Sequence, residues 1–253
     1  MAAIDGKAII ITGGGQGIGL ALARHFLEAG ARVAIGEVNP ETVEAARSSL
    51  ACHGDAALVL RTDVRQRSEV DALAAAAAER FGRIDALVNN AHASFAGASA
   101  EDHTEEQLHL AMETGAFGSV RMMQAVFPHM KANGGGSIVN VASMLGHVGS
   151  TPVKQASYCA SKGAVVNLTR ELALQFARKN VRVNALCPGW FLSELTAGME
   201  TDPGAIAFIE ASGPMPRMGD EHELDGAILM LSTAAGTFMT GQSLIVDGGW
   251  TAR

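Results

Sequence analysis

Ala8-Ile9-Ile10-Ile11-Thr12-Gly13-Gly14-Gly15-Gln16-Gly17-Ile18-Gly19 is the stretch that decides the fold. Four apolar residues read as a buried strand. A glycine-rich turn follows, and a helical pattern then runs over 17–29. Glycine permits a tight turn and close backbone approach. A helix N-terminus offers free N–H groups and a positive dipole to an anion such as pyrophosphate. The spacing is G-x-x-x-G-x-G, set by Gly13, Gly17 and Gly19, and not the G-x-G-x-x-G of the familiar dinucleotide fingerprint. A bare glycine turn without a ligand is the competing reading. The strand before it and the helix after it favour a phosphate-binding turn.

Working outward, the same rhythm repeats. Apolar runs stand at Ala8–Ile11, Val33–Ile35, Ala57–Leu60, Ala86–Asn89, Ser137–Val141, Val181–Leu186 and Ser243–Val246. Helical patterns lie near 17–29, 40–50, 66–81, 101–132, 155–178 and 220–232. Strands alternating with helices predict βαβ units and a parallel sheet. The runs are continuously apolar, as expected when helices cover both faces. Segment 190–215 breaks the rhythm with a long apolar excursion, which reads as a substrate-side lid.

No linker or composition break divides the 253 residues, so 1–253 reads as one domain, and 48% hydrophobic content supplies a sizeable core. A net charge of −7 argues against nucleic acid as a partner. No apolar stretch approaches a membrane span, and the N-terminus does not read as a signal peptide. Cys52, Cys159 and Cys187 lack metal-ligand spacing and read as reduced thiols of a cytoplasmic protein; no metal site is expected.

The chain has one tyrosine, Tyr158, and Lys162 follows one helical turn later on the same face. A phenol is a poor base at neutral pH because its pKa is about 10. An ammonium about 4 Å away at an effective dielectric near 20 favours phenolate by up to roughly 4 kcal/mol. The pair predicts a proton-transfer device with a depressed phenol pKa. Alone, such a pair is more often an amphipathic ring beside a solvated charge.

The ordered set of motifs resembles the short-chain dehydrogenase/reductase family. Thr12–Gly19 looks like its glycine motif, Asn89-Asn90-Ala91 like its segment after the fourth strand, and Ser143, Tyr158 and Lys162 like its catalytic trio. Pro188-Gly189 and Asp247-Gly248-Gly249 are similar to its later motifs, so the likeness runs from Lys7 to Trp250. The resemblance implies a doubly wound, Rossmann-type α/β sandwich. It also implies a seven-stranded parallel sheet flanked by helices on both faces, and a homotetramer. The implied activity is hydride transfer between a nicotinamide cofactor and a secondary alcohol or ketone. Tyr158 would be the general acid/base, Lys162 would tune it and hold the ribose, and Ser143 would bond the reacting oxygen. The implied cofactor-binding residues are Gly13, Gln16, Gly17, Ile18, Gly19, Asp63, Val64, Asn89, Ala91, Tyr158, Lys162, Pro188, Gly189 and Ser193. Glu37, about 20 residues past the turn, is placed to accept from the ribose hydroxyls and to repel a 2′-phosphate, so NAD is the expected cofactor. The alternative is a catalytically impaired NAD-binding regulator on the same fold.

Ser94, Phe95, Met144, His147, Gln155, Trp190, Phe191 and Leu195 are the expected substrate-facing positions. Their largely apolar character suggests a lipophilic or medium-sized substrate. Two positions depart from the family pattern. Gly115 stands where the family carries an Asn thought to hold a relay water, and His92 stands where it carries Gly. His92 reads either as a tolerated loop substitution or as an imidazole filling the space that Asn would take, with a part in the relay.

Overall fold

The computed structural model describes residues 4–93, 99–150, 153–193 and 196–252. Each of the seven apolar runs forms a strand: β1 (Ala8–Thr12), β2 (Arg32–Glu37), β3 (Ala57–Arg61), β4 (Ala86–Asn89), β5 (Gly136–Val141), β6 (Val181–Pro188) and β7 (Ser243–Val246). They pair in parallel in the order β3-β2-β1-β4-β5-β6-β7. The order reverses between β1 and β4. A crevice opens at such a switch point, beyond the carboxyl ends of the strands.

Helices α1 (Gly17–Glu28), α2 (Pro40–Ser49), α3 (Arg67–Phe81), α4 (Glu105–Met112), α5 (Gly118–Ala132), α6 (Ala156–Phe176), α7 (Pro203–Ser212) and α8 (Asp225–Ser232) complete the chain. Strand alternation divides the core. Ile9, Ile11, Val33 and Ile35 face Leu22 and Phe26 of α1 and Ile228 and Leu231 of α8. Ile10, Ala34 and Leu87 face Leu73 of α3, Met122 and Val126 of α5 and Leu172 of α6. Each fully buried Leu, Ile or Phe contributes about 1.5–3 kcal/mol, so both faces are strongly held.

The predicted single helix over 101–132 is two. α4 begins at Glu105 behind Thr104, whose side chain and that of Gln107 form a reciprocal cap. A π-turn at Glu113–Phe117 then separates α4 from α5. The break brings Gly115 against the exit of β4, and such π-turns gather at functional sites. The excursion at 190–215 carries a helix of its own, α7, behind an Asp202 cap and Pro203. No helix among the described residues is long and apolar enough to cross a membrane.

Candidate active site

A cleft of about 680 Å³ lies over the switch point. One end is built by the turn between β1 and α1. Gly13 and Gly17 take positive φ values of 60° and 51°. A Cβ on Gly19 would collide with the Gly13 carbonyl, and one on Gly13 would lie 2.8 Å from Ala91 Cα. These glycines make a cradle that any side chain would fill. Gln16 caps α1 without a side-chain bond, and no acidic residue occupies the first turn, which leaves the helix end suited to an anion. The turn is tied to β4 by Thr12 Oγ1, which accepts the N–H groups of Asn90 and Ala91, each at 3.1 Å. Asn90 Nδ2 donates to the Gly13 carbonyl at 2.8 Å.

Glu37 ends β2 inside this half of the cleft. Its Oε1 accepts from the N–H groups of Val38 and Asn39 at 2.8 and 3.1 Å. Gly15 must lack a Cβ here, because one would approach Glu37 Cγ and Thr42 Cγ2 to 2.7 Å. Val64 lines the cleft, as do Gln16, Ile18 and Gly36. Asp63 lines it as well, but its carboxylate is already committed. Oδ1 accepts from the Arg65 N–H and Nε, and Oδ2 from Arg65 Nε and Nη2, at 2.7 to 3.0 Å. The guanidinium holds the Asp63 pKa below its usual value. Asp63 is therefore the partner of Arg65 first, and Arg65 is a cleft residue that the sequence reading missed.

The Asn89 side chain is buried beneath the cleft; its Nδ2 donates to Asn140 Oδ1 at 2.9 Å, and Asn140 Nδ2 donates to Thr169 Oγ1 at 2.9 Å. This buried polar chain links β4, β5 and α6. The neighbouring Asn90, through its side chain on the glycine turn, is the asparagine that reaches the cleft.

The other half of the cleft holds Tyr158 and Lys162, both on α6. Lys162 Nζ stands 5.5 Å from the centroid of the Tyr158 ring and donates to the Val141 carbonyl at 2.7 Å. Burial pulls the Lys162 pKa from 10.5 to about 8. Ser143 closes β5. Its Oγ accepts from the Leu145 N–H at 3.1 Å, and Ser143 acts on the Tyr158 phenol by holding its pKa down. The expected depressed phenol pKa is not found in the protein alone. Burial pushes Tyr158 above its usual value, and Ser143 only partly opposes this, so desolvation wins.

Two histidines grip α6 beside this pair. His92 Nε2 lies 3.2 Å from Ser161 Oγ, and His103 Nε2 lies 2.8 Å from Ser157 Oγ. The His92 and Tyr158 rings meet edge to face, with centroids 5.1 Å apart.

The substrate positions divide. Phe191 lines the cleft beside Pro188, Gly189 and Ser193. Ser94, Phe95 and Leu195 lie outside the described residues. Met144, Gln155 and Trp190 do not line the cleft. Met144 is buried in the short helical turn after Ser143. Gln155 only opens α6 as its N-cap. Trp190 turns away to pack its ring against Phe208 and Trp250, at centroid distances of 6.2 and 6.1 Å. His147 points at Cys187, with 3.6 Å between Nε2 and Sγ. Leu110 and Thr114 line the cleft instead. They come from α4 and the π-turn, which no local motif marks.

A glycine cradle for an anion and a tyrosine–lysine pair in one cleft define the class: a dinucleotide-dependent oxidoreductase on a doubly wound sheet. A family profile described as Enoyl-(Acyl carrier protein) reductase matches residues 13–251. A cis-4-hydroxycyclohexanecarboxylate dehydrogenase of Sinomonas cyclohexanicum is 38% identical, over 97% of both chains. A solved short-chain type dehydrogenase/reductase from Mycobacterium marinum superposes with a TM-score of 0.92 at 34% identity, covering 99% of this chain and 97% of that one. The solved NADPH-dependent 3-quinuclidinone reductase from Rhodotorula rubra gives 0.89 at 29% identity, over 99% and 93%. The chain belongs to the short-chain dehydrogenase/reductase family and is a hydride-transferring oxidoreductase. The comparisons give no support to the impaired-regulator alternative.

Proposed function

We propose that this protein is an NAD-dependent dehydrogenase or ketone reductase of secondary alcohols, with Tyr158 as the general acid/base. One observation carries the reading: Tyr158, flanked by Lys162, faces the same cleft as the glycine cradle. When bound, the nicotinamide ring supplies the hydride acceptor or donor. Gly13, Gln16, Gly17, Ile18 and Gly19 hold the pyrophosphate, and Val64, Ala91, Pro188, Gly189 and Ser193 line the rest of the cofactor. In alcohol oxidation Tyr158 takes the hydroxyl proton, and in reduction it returns one. Ser143 holds the reacting oxygen, and Lys162 adds a positive field that favours phenolate once the cofactor's own charge joins it.

The preference for NAD rests on Glu37. A carboxylate anchored by two backbone N–H groups cannot swing away from a 2′-phosphate, so the two charges would repel. Arg65, a cation on this side of the cleft, is already occupied by Asp63. Asp63 with Arg65 forms the wall at the adenine, and Val64 its apolar contact.

The cleft beside Tyr158 offers Ala93, Leu110 and Phe191 with the hydroxyls of Thr114, Ser193 and Thr196. This lining suits a lipophilic or medium-sized ring alcohol or ketone more than a charged metabolite. The whole chain, 1–253, acts as one catalytic domain with 190–215 as its lid, in a cytoplasmic homotetramer. The unpaired thiols of Cys52, Cys159 and Cys187 fit a reducing compartment. A panel of secondary alcohols and ketones, read by NADH and NADPH absorbance with a Tyr158→Phe control, tests the reading. Turnover with NADPH alone would overturn the cofactor assignment, and a fully active Tyr158→Phe enzyme would overturn the mechanism.

A further inference from the structure

His92 lies where the exit of β4 meets the π-turn, and its imidazole is wedged into a notch that Gly115 leaves open. A Cβ on Gly115 would stand 2.9 Å from His92 Cδ2 and 3.3 Å from Nε2, and would collide with Ser161 Oγ. The imidazole and a side chain at 115 exclude one another. The ring is held twice more, by Ser161 Oγ at 3.2 Å and by its edge-to-face contact with Tyr158 at an interplanar angle of 81°.

The hydrogen bonds fix the tautomer. Ser161 spends its hydroxyl proton on the Ala111 carbonyl at 2.8 Å, so its oxygen can only accept from His92. The imidazole proton is therefore on Nε2, and Nδ1 keeps its lone pair without a protein partner among the described residues. Burial and the Lys162 ammonium hold the His92 pKa well below 6.5, so the ring stays neutral. A proton leaving Nε2 would run to Ser161 and end on a carbonyl, which cannot pass it on. The geometry suits a wedge and not a proton carrier.

We propose that His92 is a positioning residue for the reacting phenol. Its imidazole, seated in the notch of Gly115 and pinned by Ser161, fixes the plane of the Tyr158 ring and keeps water from its edge. The role rests on the reading of Tyr158 as the acid/base. It makes His92 and Gly115 one functional unit, although 22 residues of chain separate them.

The single tyrosine makes this measurable, because ζ-13C-tyrosine labelling gives one resonance for the whole chain. Full-length His92→Ala and Gly115→Ala enzymes should each move that resonance, since both evict the imidazole. Water reaching the ring should lower the phenol pKa towards its ordinary value. kcat should fall at least about tenfold while KM for NAD stays within about twofold, as expected when a transition-state arrangement is lost and binding is kept. The double variant should lose no more than the worse single one. Ser161→Ala, which frees the ring without opening a cavity, gives the same direction of change if His92→Ala does not fold. His92→Gln, which keeps a donor towards Ser161 without the ring, should leave the resonance displaced. An unmoved resonance in folded His92→Ala, or additive losses in the double variant, overturns the positioning role. A Tyr158→Phe enzyme of normal rate overturns the acid/base reading instead, so the two failures are distinct.

Discussion

The two halves of the cleft are built in opposite ways. The glycine-turn half centres on one contiguous turn, and it presents backbone N–H groups and a carboxylate held by backbone. The tyrosine half gathers side chains from the exits of β4 and β5, the π-turn and α6, around a buried lysine and a half-buried phenol. The first half works by shape, which local sequence dictates. The second works by desolvation, which favours the neutral form of each group: burial raises Tyr158 and lowers Lys162 to about 8.

The contrast breaks first at Tyr158. Replacing it with Phe should cut kcat by about 10³, within the range of a lost general acid/base, while NAD binding by calorimetry is unchanged. A loss under tenfold would mean that the tyrosine half does not carry the proton. On the other side, Gly19→Ala drives a Cβ into the Gly13 carbonyl, which cannot yield as a flexible side chain would. Cofactor affinity should fall about 100-fold or more by titration, with kcat at saturation far less affected.

Lys162→Met sharpens the comparison by separating function from stability. Holding an ammonium whose pKa falls from 10.5 to about 8 costs about 3 kcal/mol at pH 7. The sign follows from proton counts. Between pH 8 and 10.5 the unfolded chain holds this proton and the folded one does not, so stability rises with pH across that window. Below pH 8 the full cost applies. Lys162→Met should therefore lose activity and yet gain about 1–2 kcal/mol by denaturant melts at pH 7, after the unpaired Val141 carbonyl takes its share. A destabilised variant would show that the bond to Val141 outweighs desolvation.

Glu37→Ala should relax the preference for NAD over NADP by about 10- to 30-fold, as one screened charge pair would. Full retention in paired kcat/KM measurements would remove Glu37 from the assignment. The smallest effect is expected at His103→Ala, which frees Ser157 without touching the Tyr158 ring. It should cost about 1 kcal/mol in melts and change kcat less than about threefold.

The seven strands, their parallel pairing and the phosphate turn were legible because each is encoded within a few residues of itself. An apolar run reads as a strand, and glycines at 13, 17 and 19 read as a turn. Tyr158 with Lys162 was legible for the same reason, being one helical turn apart. The direction of the Asn89 side chain was not legible, because the side chain of a strand's last residue can point into the sheet packing or into the cleft, and only β5 and α6, through Asn140 and Thr169, settle which. The packing of Trp190 was not legible either, because its partner rings, Phe208 and Trp250, come from distant segments. Arg65 and Leu110 were missed because nothing local distinguishes a cleft-lining side chain from a surface one.

By itself, then, the sequence determined the layered parallel fold, the site of the glycine cradle and the placing of Tyr158 and Lys162 on one helix face. Tertiary structure alone decided how those residues behave. The notch at Gly115, the tautomer of His92 and the raised phenol of Tyr158 depend on burial and on neighbours far away in the chain. Hydrophobic periodicity and turn chemistry act over a few residues and survive in one dimension. Desolvation and steric exclusion are properties of a filled volume, and they come into being only when the chain has closed around it.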